Sequence, residues 1–402
     1  MARSKKQADG QGSIRYRSDN RWEARIVTGH DSLTGKTISR SVYGSTQQEV
    51  RQKLTAISAD LDNREYIPPS QYTVSQWLDC WLENYTGNLK YRTIQNYQKI
   101  CRLHLIPYIG KIKLSALTPV DVQMLLNRSA KKNCRGNKNK QKQLSPNTVR
   151  LIHGTLSKAL NCAVQQGLLK TNPAARAVLP KEEKVEIIPL TDAQIADFLK
   201  ACEADEYGDI LQLILFTGLR EGEAGGLCWD CVDFKNSALT INKQLQFRSA
   251  KDGGYQFVST KNGKARTLTA PPFVMQILKR QEEKQILARF AAGEAWQGWQ
   301  TADEMKTAPV FTRADGQPIA LITMYLHFKR IAAQIGAPDA RVHDLRHTFA
   351  VLSLQNGDDI KTLQTNLGHA TAAFTMDVYA HTSDRMKQEA ANRMQKYIES
   401  IG

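Results

Sequence analysis

The spacing of hydrophobic and polar residues changes twice along the chain. Between residues 12 and 43 the two kinds alternate or nearly so. Ser13-Ile-Arg-Tyr-Arg, Arg21-Trp-Glu-Ala-Arg-Ile-Val and Thr37-Ile-Ser-Arg-Ser-Val-Tyr therefore predict three short strands. Ser18-Asp-Asn and Asp31-Ser-Leu-Thr-Gly-Lys supply the turns between them. From Ser45 the period lengthens. Val50, Leu54, Ile57 and Leu61 recur at four, three and four residues, which is one face of a helix with Ser45 or Thr46 as its cap. A small three-stranded sheet with one helix is predicted to end near Arg64, and Pro68-Pro69-Ser70 reads as a linker.

Residues 72–176 carry helical stripes only. Val74, Trp77, Leu78 and Trp81 form one, and Ile94, Tyr97, Ile100 and Leu105 the next. Val120, Val122, Leu125 and Leu126 form a third, with Thr118 as cap before Pro119. From Arg128 to Lys142 there is no apolar period, and a mobile loop is expected. Ser145-Pro146 opens the last helix of the block, which runs through Val149, Ile152, Leu156, Leu160 and Ala163 to a stop at Asn172-Pro173. A second linker is expected around Pro180–Ile188. Beyond it the types mix. Thr191 caps a helix, and Ile210–Leu227 is strongly apolar and expected to be helical. Residues 232–247 and 256–269 favour strands around the hairpin signal Asp252-Gly253-Gly254, and Pro271–Ala291 and Leu321–Ile335 are helical.

Composition narrows the class. The 402 residues are 41% hydrophobic and 23% charged, a globular profile with no apolar run near the ~18 residues of a membrane helix. The start, Met1-Ala-Arg-Ser-Lys-Lys-Gln, lacks the apolar stretch of a secretory signal, and seven scattered cysteines fit reduced thiols in a cytoplasm. The net charge of +16 is unevenly spread. Residues 71–180 hold 17 Lys and Arg against 3 Asp and Glu, whereas residues 181–402 hold 26 against 28. A basic block this concentrated points to a polyanion, nucleic acid first, ahead of a merely solvated surface.

The acid-balanced segment carries an unusual set of side chains. Thr217-Gly-Leu-Arg220-Glu-Gly-Glu223 ends the apolar helix. Thr260-Lys261-Asn-Gly-Lys-Ala-Arg266 lies on the predicted strand–turn–strand. His343-Asp-Leu-Arg346-His347 opens a helix after Pro338, and Leu367-Gly-His369 precedes Tyr379 by ten residues. Singly each is weak: a helix end, a turn, a chance His-x-x-Arg, a core tyrosine. Metal-dependent nuclease chemistry needs clustered carboxylates, and no motif gathers them here. His343 and His347 have the spacing of a zinc-protease helix without its Glu. Cys228-Trp-Asp-Cys231 lacks a redox context and reads as core thiols.

Together, in this order and spacing over residues 185–381, the motifs resemble the tyrosine recombinase, or phage-type integrase, family. The domain order looks like that of integrases of conjugative transposons and lambdoid phages. The resemblance implies an α+β fold: a mainly helical catalytic domain with a small antiparallel sheet and a C-terminal tail helix at 185–402. Before it come a helical core-binding domain at 71–180 and a three-stranded sheet plus helix that binds arm-type DNA at 1–66. It implies the catalytic set Arg220, Lys261 (in a β-hairpin), His343, Arg346, His369 and the nucleophile Tyr379, with no metal and no cofactor. Glu223, three residues beyond Arg220, either holds that guanidinium or makes a surface ion pair. Exposed Arg15, Arg17, Arg21 and Arg25 on the strands, and Lys131, Lys132, Arg135, Lys138, Lys140 and Lys142 in the loop, are the expected DNA contacts.

The chemistry explains the set. Attack of an oxygen nucleophile on a phosphodiester adds negative charge, which two permanently charged guanidinium forks stabilise. A phenol of pKa ~10 needs that cationic surround or a base, and the departing 5′ oxygen needs an acid. The implied activity is site-specific integration and excision of a mobile element through a 3′-phosphotyrosine and a Holliday junction. The implied partners are double-stranded DNA, a homo-tetramer on it, and an excisionase and a DNA-bending protein as accessories, in the cytoplasm of a bacterial host. A type IB-like topoisomerase and a catalytically silent DNA-binding regulator are the alternatives. Ala224 and Gly225 depart from the family's larger apolar residues, so looser packing behind Arg220 is expected.

Overall fold

The computed structural model describes residues 12–30, 36–62, 72–131, 143–182, 188–248, 250–260, 263–368 and 384–401. The chain divides into two compact units, residues 1–184 and 185–402.

In the first unit the alternating segments form an antiparallel sheet of β1 (Ser13–Tyr16), β2 (Trp22–His30) and β3 (Thr37–Gly44) in the order β1-β2-β3. The pleat sends Ile14, Trp22, Ala24, Ile26 and Val42 to one face. There they meet Val50, Leu54, Ile57 and Leu61 of α1 (Gln47–Asp62). The other face carries Arg15, Glu23 and Arg25, with Arg15 directly opposite Glu23 and Glu23 opposite Tyr43. The helical block has its own core. It contains α2 (Val74–Asn84), α3 (Tyr91–Ile100), a π-helical turn (Cys101–Leu105), α4 (Ile106–Ile109), α5 (Pro119–Ala130) and α6 (Pro146–Gln165). Trp77 is 1% exposed there, and its indole donates to the Ala159 carbonyl at 2.9 Å, so a buried N–H is satisfied across 82 residues. Local signals set these ends. Thr118 accepts from Asp121 N while Asp121 accepts from Thr118 N, a reciprocal cap, and Ser145 caps α6. Helix α5 reaches Ala130, with Ser129 buried, so Arg128–Ala130 belong to a helix rather than to the expected loop. Tertiary burial extended it past the point where the apolar period ends. Residues 132–142 lie outside the described residues.

The second unit is built round α8 (Gly208–Thr217), buried on nearly every side by α7 (Asp192–Glu203), α10 (Pro272–Ala292), α12 (Leu321–Gln334) and α13 (Val342–Gln355). Its one acidic residue, Asp209, is held by Arg280 and, at 2.6 Å, by Lys284. The stretch 210–227 is not one helix as expected. It breaks at Gly218, whose φ of +64° suits glycine, and resumes as α9 (Glu221–Gly225). Strands β4 (Val232–Asp233), β5 (Ala238–Ile241) and β8 (Arg266–Thr269) form one sheet in the order β4-β5-β8. Strands β6 (Lys243–Phe247) and β7 (Tyr255–Ser259) form a second across the predicted Asp252-Gly253-Gly254 turn. Consequently β7 and β8, which flank Lys261, pair with different partners and make no hairpin with each other. Helices α11 (Ala302–Thr307), α14 (Ile360–Leu367) and α15 (Asp384–Ile401) also belong to the unit. Among the described residues no helix is long and apolar enough to cross a membrane.

Candidate active site

Three helix ends meet at the site: the C-termini of α8 and α14 and the N-terminus of α9. Arg346, in the second turn of α13, is 1% exposed. Its guanidinium donates to the Gly218 carbonyl that ends α8 and to the Leu367 carbonyl that ends α14, both at 2.6 Å. The orphan carbonyls of two helices thus fix one fork of donors. The break at Gly218 is tight. A Cβ there would stand 2.4 Å from Phe349 and 2.7 Å from Leu367. It turns the chain so that Arg220, extended at the N-cap of α9, lies two residues beyond the carbonyl that Arg346 grips.

Glu223 closes the next link. Its side chain is 1% exposed, so the surface-pair reading is excluded. It accepts from the Arg220 amide at 3.1 Å and guanidinium at 2.8 Å, and from both Arg266 terminal nitrogens at 3.2 and 2.7 Å. Burial works to raise this carboxyl. The hydrogen bonds and charge of Arg266, then the charge of Arg220, outweigh burial and hold the group at about 2. Behind α9 the packing is close, against expectation. Ala224 is fully buried, and a Cβ at Gly226 would stand 2.6 Å from the Leu245 amide of β6. Absent side chains let a strand backbone approach the short helix.

His343 sits in the first turn of α13, its ring edge-on to that of His347 at 4.7 Å. It is pushed down to about 4, first by the protein crowding it and then by His347, Arg346 and Arg220. Part of His343 stays open to solvent, which tempers the first cause. The two arginines act in the same direction, so the ring is neutral near pH 7. His347 is buried and also shifted down, burial leading. Arg341 holds Asp344 through its amide at 2.8 Å and its guanidinium.

The structure therefore brings Arg220, Glu223, His343 and Arg346 together. Lys261, His369 and Tyr379 lie outside the described residues, as do Lys132, Arg135, Lys138, Lys140 and Lys142. Their flanks are described. Thr260 is buried, with its hydroxyl donating to the Lys264 carbonyl at 2.9 Å, and Gly368 ends α14. Lys131 is the exposed C-cap of α5. On the sheet Arg15 is 67% exposed yet paired with Glu23 at 2.7 Å. Arg17 shares that carboxylate, Arg21 pairs with Asp19, and Arg25 donates to Ser39. One residue escaped the sequence reading: Arg266. Its signal was parity, since the alternation of β8 puts Arg266 on the same face as buried Leu268. Cys228 and Cys231 are buried thiols that burial pushes up, Cys231 to about 11. Among the described residues no three His, Cys, Asp or Glu side chains gather as a metal site.

Comparison with known proteins places this geometry. Residues 189–386 match the phage integrase family and residues 73–129 the N-terminal SAM-like domain of phage integrases. An integrase of Streptomyces ambofaciens is 28% identical, the match covering 94% of this chain and 93% of that one. Among solved structures, the Tn1549 transposon integrase in complex with a circular intermediate DNA is similar at a TM-score of 0.66 and 21% identity. That match covers 81% of this chain and 100% of the other. A lambda integrase tetramer bound to a Holliday junction is similar at 0.52 and 19%, over 89% and 96%. The two family matches span most of the chain, including every residue gathered at the α8–α9–α14 junction, and the chain belongs to the tyrosine recombinase, or phage-type integrase, family.

Proposed function

We propose that this recombinase integrates and excises a mobile element by exchanging DNA strands at specific sites, with Tyr379 as nucleophile. One observation carries the reading. Arg346, buried and gripped by the carbonyls that end α8 and α14, and Arg220, anchored by the buried Glu223, hold two guanidinium groups in place at adjoining helix ends. Such an arrangement suits a phosphodiester whose negative charge grows during attack, and donors fixed in advance at such charge are each worth about 2.7–4 kcal/mol. The Tyr379 oxygen attacks phosphorus as its proton passes to His343. The bond to the 5′ oxygen breaks, and that oxygen takes a proton from Lys261. His369 donates to a phosphate oxygen. The products are a 3′-phosphotyrosine and a free 5′-hydroxyl. Attack by a second 5′-hydroxyl reverses the step and forms a Holliday junction, with no ATP consumed because the phosphoester bond energy is kept.

Double-stranded DNA is the substrate. Four protomers act on two duplexes, as in the tetramer of the similar lambda integrase, and an excisionase and a bending protein set direction. The labour divides over three domains, 1–66 on arm sites, 71–180 on core DNA and 185–402 for chemistry. The separate cores of the sheet and of the helical block support that division. A nicked duplex bearing the joined ends of the element tests the reading. The parent chain should become covalently attached through Tyr379, while Tyr379→Phe should bind equally and form no adduct. An adduct with the Phe variant would show another nucleophile.

A further inference from the structure

The two halves of the site join through a residue outside the catalytic set. Arg266, on β8, has a side chain 10% exposed. It donates twice to Glu223, the carboxylate that holds Arg220, and its Nε donates to the Asn366 carbonyl in the last turn of α14 at 2.8 Å. Two residues on, Gly368 lies directly against it. A Cβ there would stand 3.1 Å from Arg266 Cδ and from one terminal nitrogen, and the φ of +63° is one that side chains rarely adopt. Arg266 therefore joins two elements, one 43 residues before it and the other 100 residues after it in the chain. On one side is the loop that presents Arg220, and on the other the helix end that leads to His369 and Tyr379.

Resting on the strand-exchange reading, we propose that Arg266 is a positioning residue that sets Arg220 in register with the exit of α14, and that Gly368 preserves this joint by leaving room for its guanidinium. The planar fork is what the task requires. One face of the guanidinium's donors meets both carboxylate oxygens while Nε remains for a carbonyl. A lysine ammonium at Arg266 keeps the charge beside Glu223 but cannot reach the carboxylate and Asn366 together. Misplacement of about 1 Å at a reacting centre costs on the order of 100-fold in rate.

Arg266→Lys in the full chain separates charge from geometry, and Gly368→Ala disturbs the same joint without touching any charge. Two measurements decide. Hydrogen exchange without DNA should show faster exchange in both 219–226 and 360–368 for each variant, with the α2–α6 core unchanged. Single-turnover cleavage of the nicked duplex should fall about 100-fold for Arg266→Lys, with DNA affinity within about threefold. Combined with Arg220→Lys, the second substitution should add little, because Arg266 acts through Arg220. Exchange unchanged in either segment, cleavage within threefold of the parent, or fully additive losses would each overturn the proposal. If no duplex is cut even by the parent chain, the strand-exchange reading fails. Coupled exchange of the two segments would still support Arg266 as the joint.

Discussion

Glu223 concentrates the residue-scale physics of this protein. It is a buried carboxylate shared by two arginines, and its folded-state pKa near 2 lies below its ordinary 4.5. A depressed carboxyl contributes stability that is present above about pH 4.5 and is lost as pH falls toward 2, on the order of 3 kcal/mol for this shift. Urea midpoints of the parent between pH 6 and 3 should therefore fall more steeply than those of Glu223→Gln. That variant should itself lose up to about 3 kcal/mol at pH 7, because two part-buried guanidinium groups lose the counter-charge of a buried carboxylate. Parallel pH curves would show the carboxylate is not strongly coupled. His343 gives the opposite sign of evidence. Its ring is held down to about 4, so the cleavage rate should show no step near the ordinary histidine pKa of ~6.5. A step there that vanishes in His343→Gln would mean the ring titrates normally and the cations beside it are further than they stand here.

At the scale of elements, the short α9 depends on what it lacks. Gly226→Ala places a methyl 2.6 Å from the Leu245 amide and 2.7 Å from Gln244 Cα, both backbone atoms. Overpacking of this kind costs about 1–3 kcal/mol. Thermal unfolding should register the loss, and cleavage should fall with it because α9 carries Arg220. A gain in stability would show that the strand yields. Helix α15 presents the reverse case. Met394, Tyr397, Ile398 and Ile401 are each more than half exposed, an apolar stripe of the kind that a helix buries against something. On the strand-exchange reading it docks on a neighbouring protomer. Truncation before Ser383 should then leave a folded chain that binds DNA and forms no tetramer on it, as read by analytical ultracentrifugation. A tetramer from the truncated chain would refute the docking. The helix starts themselves were legible beforehand. Thr118, Ser145 and Thr191 cap within three residues of themselves, and such local chemistry needs no tertiary context. The exit of α5 was not, because burial decides it, whereas α8 ends at Gly218, inside the Thr217-Gly-Leu-Arg220 segment read as the end of the apolar helix.

For the whole molecule, the positive charge concentrated before residue 181 predicts how affinity responds to salt. Affinity for duplex DNA should fall linearly with salt on logarithmic axes, with a slope of about 0.9 per phosphate neutralised. Changing Lys131, Lys132, Arg135, Lys138, Lys140 and Lys142 to glutamine should flatten that slope, and an unchanged slope would show that none of them meets a phosphate. The sequence by itself determined the order of elements, the charge distribution and the motif set that marks the family. These are carried by local period, by composition and by short spacings. Only the tertiary structure decided what anchors the site. Arg266 meets Glu223 across 43 residues and Arg346 meets the Gly218 carbonyl across 128. Pairings over such separations are fixed by how helices and strands pack, for which a chain read one residue at a time carries no local signal. Parity marked Arg266 as facing inward, but only the folded chain supplied the carboxylate it faces.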